Sequence, residues 1–144
     1  MRVMALDYGD ARTGVAISDE RGILCGDTLV LTEWDAQKVV ENVVKLAHER
    51  DCGLILLGLP LNMDGSEGPR AGKCRELAEA LLAAGTPEVL LRDERRTSVE
   101  AHNILRANGK REKKHRKSVD AVAAQLILET YLGSADNARR QAEK

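Results

Sequence analysis

The sequence predicts an α/β fold: a mixed five-stranded sheet flanked by helices, in the order βββαβαβαα along the chain. Three observations predict it. Residues 2–31 carry three short β-like runs divided by tight polar turns, with no helical period between them. From Asp35 onward, stretches with apolar residues three and four apart alternate with short runs that are apolar throughout. Strands joined by turns pair antiparallel and strands joined through helices pair parallel, so one sheet holds both kinds, with helices on both faces.

Residues 2–7 and 13–18 form the first two strands, separated by Gly9-Asp10-Ala11-Arg12. Glu20-Arg21-Gly22 makes the next turn, and Ile23 to Leu31 has the β-branched content of a third strand. Asp35 to Arg50 reads as a helix with Val39, Val43, Leu46 and Ala47 on its apolar face, Thr32 and Asp35 as a capping pair and Cys52-Gly53 as the stop. Leu54 to Leu57 is apolar at every position, as in a strand covered on both sides. A long turn-rich loop, Pro60 to Pro69, opens a second helix with Cys74, Leu77, Ala78 and Leu81 inward and Gly85 at its end. Val89-Leu90-Leu91 is a short buried strand. Thr97 and Glu100 make a capping box for a helix that carries Ile104 and Leu105 and stops at Asn108-Gly109. Ser118 caps a last helix with Val122, Leu126 and Ile127 on its apolar face. One domain over 1–133 is expected, with residues 134–144 a polar, frayed tail.

The charge balance, 22 basic against 23 acidic residues, argues by itself neither for nor against a polyanionic partner. Its distribution says more. Residues 110–117 place Lys110, Arg111, Lys113, Lys114, His115, Arg116 and Lys117 around the single acid Glu112. The run reads either as a solvated loop or as an arm that contacts phosphates by releasing counterions. Phe is absent and the aromatic residues are Trp34, Tyr8 and Tyr131, which argues against base-stacking platforms of the kind that single-strand binders use. Cys25, Cys52 and Cys74 are widely spaced and form no C-x-x-C pair, so they read as reduced thiols in a cytoplasmic protein. No apolar run approaches the ~20 residues that span a bilayer, so no membrane partner is expected. The N-terminus opens on a strand pattern and carries no secretory signal.

Asp7 is the residue that points to chemistry. It ends the apolar run Val3-Met4-Ala5-Leu6, and a carboxylate at the end of a buried strand costs desolvation unless a cation, a donor or water meets it. Asp93-Glu94 follows another buried run, and Asp120 lies on the last helix. In a sheet of this kind, sites form at the carboxyl ends of strands, where Asp7, Pro60 and Asp93-Glu94 all fall. Three acids gathered there suit a hard divalent cation. Along a strand Asp93 and Glu94 point opposite ways, so either could be the ligand. Arg12, Arg70 and Arg95 are candidates to clamp a phosphate, and the backbone amides around Asn62, Ser66 and Gly68 to cradle one.

Five blocks carry a more specific signal: Leu6-Asp7-Tyr8-Gly9, Gly14 to Asp19, Gly58 to Ala71, Asp93-Glu94-Arg95 with Thr97-Ser98, and Ser118-Val119-Asp120-Ala121 with Ala123-Ala124. In this order they resemble the YqgF/RuvX family of Holliday-junction resolvases in the RNase H-like superfamily, over about residues 2–132. The resemblance implies an RNase H-like fold, metal-dependent phosphodiester hydrolysis, and a triad at Asp7, Glu94 and Asp120. It also implies either maturation of the 5′ end of pre-16S ribosomal RNA or cutting of four-way DNA junctions. Two Mg²⁺ or Mn²⁺ ions about 4 Å apart would activate water and stabilise the leaving oxygen. In that scheme Asp7 bridges both ions, Glu94 holds one and Asp120 the other. Asp10 and Arg96 depart from the family pattern, which has Thr or Lys at the first position and often an apolar residue at the second. Resolving a junction by two symmetric cuts calls for a homodimer, whereas trimming an RNA end does not. A non-catalytic nucleic-acid-binding or ribosome-assembly module is the alternative reading. An actin- or hexokinase-like phosphotransferase would need a second lobe that 144 residues do not supply.

Overall fold

The computed structural model describes residues 1–94 and 112–143, with the backbone alone for 112–120. The elements run β1 (Arg2–Tyr8), β2 (Arg12–Ser18), β3 (Cys25–Thr32), α1 (Ala36–Glu49), β4 (Cys52–Leu59), α2 (Pro69–Ala83), β5 (Val89–Asp93), α3 (Glu112–Leu132) and α4 (Ala135–Ala142). The sheet order is β3-β2-β1-β4-β5. The first three strands pair antiparallel, and β1–β4 and β4–β5 pair parallel, which is the predicted mixed sheet.

Strand alternation divides the core into two layers. Met4, Leu6, Val15, Ile17, Ile55 and Leu57 pack under α1 and α2. Val3, Ala5, Ala16, Leu54 and Leu56 face the other way, against Ala124, Ile127, Leu128 and Tyr131 of α3. The central strands are therefore apolar at successive positions because both faces are covered. Each large side chain so buried contributes about 1.5–3 kcal/mol.

Several boundaries differ from those expected, each for a local reason. Ile23 and Leu24 lie outside β3 and are exposed, because Asp19 Oδ1 accepts from both their amides (2.8 and 3.2 Å) and holds them in the turn. The cap of α1 is Asp35 itself, accepting from the Gln37 amide at 2.9 Å, while Thr32 belongs to β3. Val40 is buried in α1 where Leu46 was expected. That helix stops at Arg50, followed by Asp51 at φ 52°, and Gly53 lies inside β4. Pro69 opens α2 as expected of a residue whose missing N–H costs nothing there.

The C-terminal third departs most. Ser118 lies inside α3 rather than at its start: the helix begins at Glu112, so the basic run from Lys113 to Lys117 is helical backbone rather than a loop. Its buried stripe includes Ala124, Ile127, Leu128 and Tyr131, with Val122 and Leu126 only partly covered. The expected helix around Ile104 and Leu105 lies outside the described residues. Residues 135–142 are not frayed. Asn137 is buried and donates to Gly22 O at 2.9 Å, Arg140 pairs with Glu88 at 2.8 Å, and the Tyr131 hydroxyl donates to Asp136 at 3.2 Å. Among the described residues no helix is long and apolar enough to cross a membrane.

Candidate active site

Asp7 is the last residue but one of β1. Val3 and Ala5 face α3, so alternation turns Asp7 to the same side. Both neighbouring strands present glycine beside it. Asp7 pairs with Gly14 on β2, and on the other side the β1–β4 register, which ends at Leu6–Leu57, leads directly to Gly58. A strand carboxylate flanked by two residues without side chains looks into a hollow.

Glu94 fills that hollow. Its amide donates to Leu59 O at 3.2 Å, which carries the β5–β4 ladder one residue past Asp93 and turns the Glu94 side chain inward. Glu94 is buried, 8% exposed, whereas Asp93 is exposed. The room for Glu94 depends on Gly58. A Cβ there would overlap Glu94 Oε2 and lie 2.8 Å from Ile127 Cδ1 of α3. The sequence reading has Gly58 only as the first residue of the Gly58 to Ala71 block and gives it no packing role, although a glycine inside an apolar strand is a recognised sign of close approach.

The electrostatics of the pair are unfavourable without a cation. Burial pushes the Glu94 carboxyl up to about 9, and the neighbouring Asp7 adds to the rise both by its charge and by accepting a hydrogen bond from it. The Arg70 guanidinium opposes that rise. Glu94 Oε2 is buried and has no hydrogen-bond partner among the described residues. An orphaned oxygen beside a second carboxylate is a donor set fit for a hard divalent ion. No group of three potential ligands occurs among the described residues; Asp120 belongs to α3, one turn before buried Ala124, but its side chain is not among them.

The arginines divide. Arg70, in the first turn of α2, lies with its guanidinium 4.9 Å from the Tyr8 ring centroid and donates to Tyr8 O. It also donates to Asp10 Oδ1 at 2.7 Å, and Lys73 Nζ lies 3.4 Å from the same oxygen. Asp10, the residue that departs from the family pattern, thus holds two cations at the rim of the site. Arg12 opens β2 on the far side of the β1–β2 turn. Arg95, Lys110 and Arg111 lie outside the described residues, and Lys113, Lys114, Arg116 and Lys117 occupy the first turns of α3.

The loop after β4 is built for itself rather than as an amide cradle. Asn62 N donates to Ser66 O (2.8 Å), Ser66 N to Asp64 Oδ1 (2.9 Å) and Asn62 Nδ2 to Ser66 Oγ (2.9 Å). The amides of Asn62 and Ser66 expected to meet a phosphate are spent inside the loop. Glu67 then takes a two-pronged contact from Arg75, 2.7 Å at each prong, tying the loop to α2. Cys52 and Cys74 are core residues whose thiols burial pushes up to about 11.

Comparison with known proteins agrees with this architecture. A protein of Pelotomaculum thermopropionicum named "Putative pre-16S rRNA nuclease" is 38% identical over 143 residues, covering 99% of this chain and 93% of that one. A protein of the same name from Halothermothrix orenii is 39% identical over 132 residues, covering 92% and 94%. The solved structure of Thermus thermophilus RuvC in complex with a Holliday junction substrate shares the fold, with a TM-score of 0.58 at 16% identity over 94% of this chain and 98% of that one. The family model described as RuvX, Holliday junction resolvase, matches residues 1–134, and the chain belongs to that family.

Proposed function

We propose that this protein is a divalent-metal-dependent nuclease that hydrolyses phosphodiester bonds in structured nucleic acid, with the 5′ end of precursor 16S rRNA as its first candidate substrate. The observation that carries the reading is buried Glu94, with its orphaned Oε2, beside half-buried Asp7 at the carboxyl ends of β1 and β5. The names of the relatives favour RNA. The family description favours a four-way DNA junction as the second reading, for which two copies of the chain would act together.

Asp7 and Glu94, with Asp120 as third ligand, would hold one or two Mg²⁺ or Mn²⁺ ions, which when bound lower the pKa of water and stabilise the leaving oxygen. The chain itself supplies position and charge. Gly58 leaves the room that the Glu94 carboxyl occupies, and Leu59 O fixes the turn that aims Glu94 inward. Arg70 places a cation beside the carboxylates, where a phosphate would accept a two-pronged contact. The basic first turns of α3, together with Arg95, Lys110 and Arg111, would neutralise flanking phosphates.

The deciding experiment incubates the purified chain with Mg²⁺ or Mn²⁺ and either a precursor 16S rRNA 5′ leader or a four-way DNA junction. Metal-dependent cutting of one of them, absent with chelator, is expected; binding to both without cutting would make the chain a non-catalytic module.

Two variants refine the scheme. Gly58→Ala drives a methyl into Glu94 and Ile127, and is expected to lower cleavage about a hundredfold by displacing the carboxylate. It should destabilise the fold by about 1–3 kcal/mol through overpacking; near wild-type rates and urea midpoints would contradict this. Asp10→Asn releases Arg70 and Lys73. It is expected to tighten nucleic-acid binding several-fold and to steepen the salt dependence by about one unit of slope for each further phosphate that the released cations neutralise. Unchanged salt slopes in a filter-binding series would show that Asp10 restrains neither cation.

A further inference from the structure

A cleft of about 360 Å³ opens between α1 and α2 at the carboxyl end of β1, lined among others by Tyr8, Asp10, Trp34, Gln37, Lys73 and Glu76. We infer that this cleft is a subsite for one unpaired nucleotide of the substrate, its base against Trp34 and Tyr8 and its phosphate at Lys73. The assignment rests on the nuclease reading and names the part of the substrate that this face of the protein takes.

Four observations point to that occupant. Trp34 is 78% exposed, and a large aromatic face left in water at the edge of a cleft suits a flat partner. A nucleobase is such a partner, and stacking on an aromatic side chain is tolerant of base identity. The cleft also carries two cations, balanced by the acids Asp10 and Glu76. Lys73 and the adjacent Arg70 are cations for a phosphate, while Gln37 and Glu76 offer hydrogen-bonding groups to base edges. An apolar helix of a partner protein would have to bury Asp10, Lys73 and Glu76, which costs desolvation.

Continuity with the carboxylates is the fourth observation. Tyr8 directly follows Asp7, so neighbouring residues of one strand face the cleft and the acid pair from opposite sides of the sheet edge. Arg70 spans the two, stacked on Tyr8 at 4.9 Å and acting electrostatically on Glu94. A strand with its scissile phosphate at Asp7 and Glu94 would thus reach the cleft by crossing the sheet edge at Arg70. Asp10 holds Lys73 at 3.4 Å and Arg70 at 2.7 Å, so an incoming phosphate takes these cations over from it. The scarcity of aromatic residues argued against stacking, but the topology brings two of the three into one place.

Trp34 is the chain's sole tryptophan, so intrinsic fluorescence reads the cleft alone. With chelator present to keep the nucleic acid uncut, the wild-type protein is titrated with a short single-stranded oligoribonucleotide, with the same strand carrying abasic positions, and with a blunt duplex. Binding is followed in parallel by anisotropy of an end label. Saturable quenching is expected with the intact single strand, and weak quenching with the abasic strand and the duplex. Trp34→Ala should weaken binding of the intact strand about tenfold, Trp34→Phe should restore most of it, and the abasic strand should not distinguish the variants. Equal binding by wild type and Trp34→Ala, anisotropy binding without quenching, or no binding of the single strand would each overturn the assignment. Cleavage of the rRNA leader or the junction with Mg²⁺ is scored separately. Equal binding in the variants alongside intact cleavage removes the subsite and leaves the nuclease; quenching without any cleavage removes the nuclease and leaves a nucleotide site.

Discussion

Asp7→Asn is expected to lower metal-dependent cleavage about a thousandfold while leaving the protein folded, the loss corresponding to the several kcal/mol that a metal site supplies to a phosphoryl transition state. The substitution is nearly isosteric, and its position between Gly14 and the approach to Gly58 leaves room for a carboxamide. It also removes the charge that raises Glu94. The variant should therefore be more stable than wild type when both are metal-free at neutral pH, as expected where a site is held in an unfavourable arrangement for function. Cleavage assays paired with thermal melts test both halves. A folded Asp7→Asn protein that cuts at the wild-type rate would sink the metal scheme. One that cuts poorly but melts lower than metal-free wild type would mean that Asp7 serves the fold rather than the site.

Much of this arrangement is legible in the residues, and what is not has a physical reason. The central strands can be read because burial on both faces leaves no polar position to confuse the pattern, as in Leu54 to Leu57. Which of Asp93 and Glu94 turns inward cannot be read from alternation, which says only that they diverge; the family resemblance alone points to Glu94. It takes the parallel register placing Gly58 beside the end of β5 to show which one has room inside. Ile23 and Leu24 mislead because apolar residues normally mark a strand, yet a single Asp19 carboxylate captures their amides first. The polarity of the C-terminal segment misleads in the same way. Asn137 and Arg140 are polar, but their groups are spent on Gly22 O and Glu88, which are far away in sequence and close only after folding. The Asp10 contact is of the same kind: sixty residues separate it from Arg70, and nothing local to either announces the pair.

Glu94 leads to the second large effect, in stability rather than rate. Its carboxyl is raised from 4.5 to about 9 in the metal-free fold. Below pH 4.5 it is neutral in both folded and unfolded chains, and the fold keeps its full stability with respect to this group. As pH rises, the unfolded chain releases the proton while the folded chain retains it, so stability falls through the interval up to about 9. A divalent cation held by Asp7 and Glu94 would reverse the sign, because it would favour the ionised form of both carboxyls. The increment in melting temperature on adding Mg²⁺ or Mn²⁺ should therefore be small near pH 5 and large near pH 8, where a hundredfold excess over Kd adds about 2.7 kcal/mol. Glu94→Gln should flatten the metal-free profile over the same interval and abolish the metal increment, since the amide neither titrates nor supplies an anionic ligand. A metal increment that is equal at pH 5 and pH 8, or that survives in Glu94→Gln, would place the ion elsewhere and leave the two carboxyls to be explained as a proton-sharing dyad.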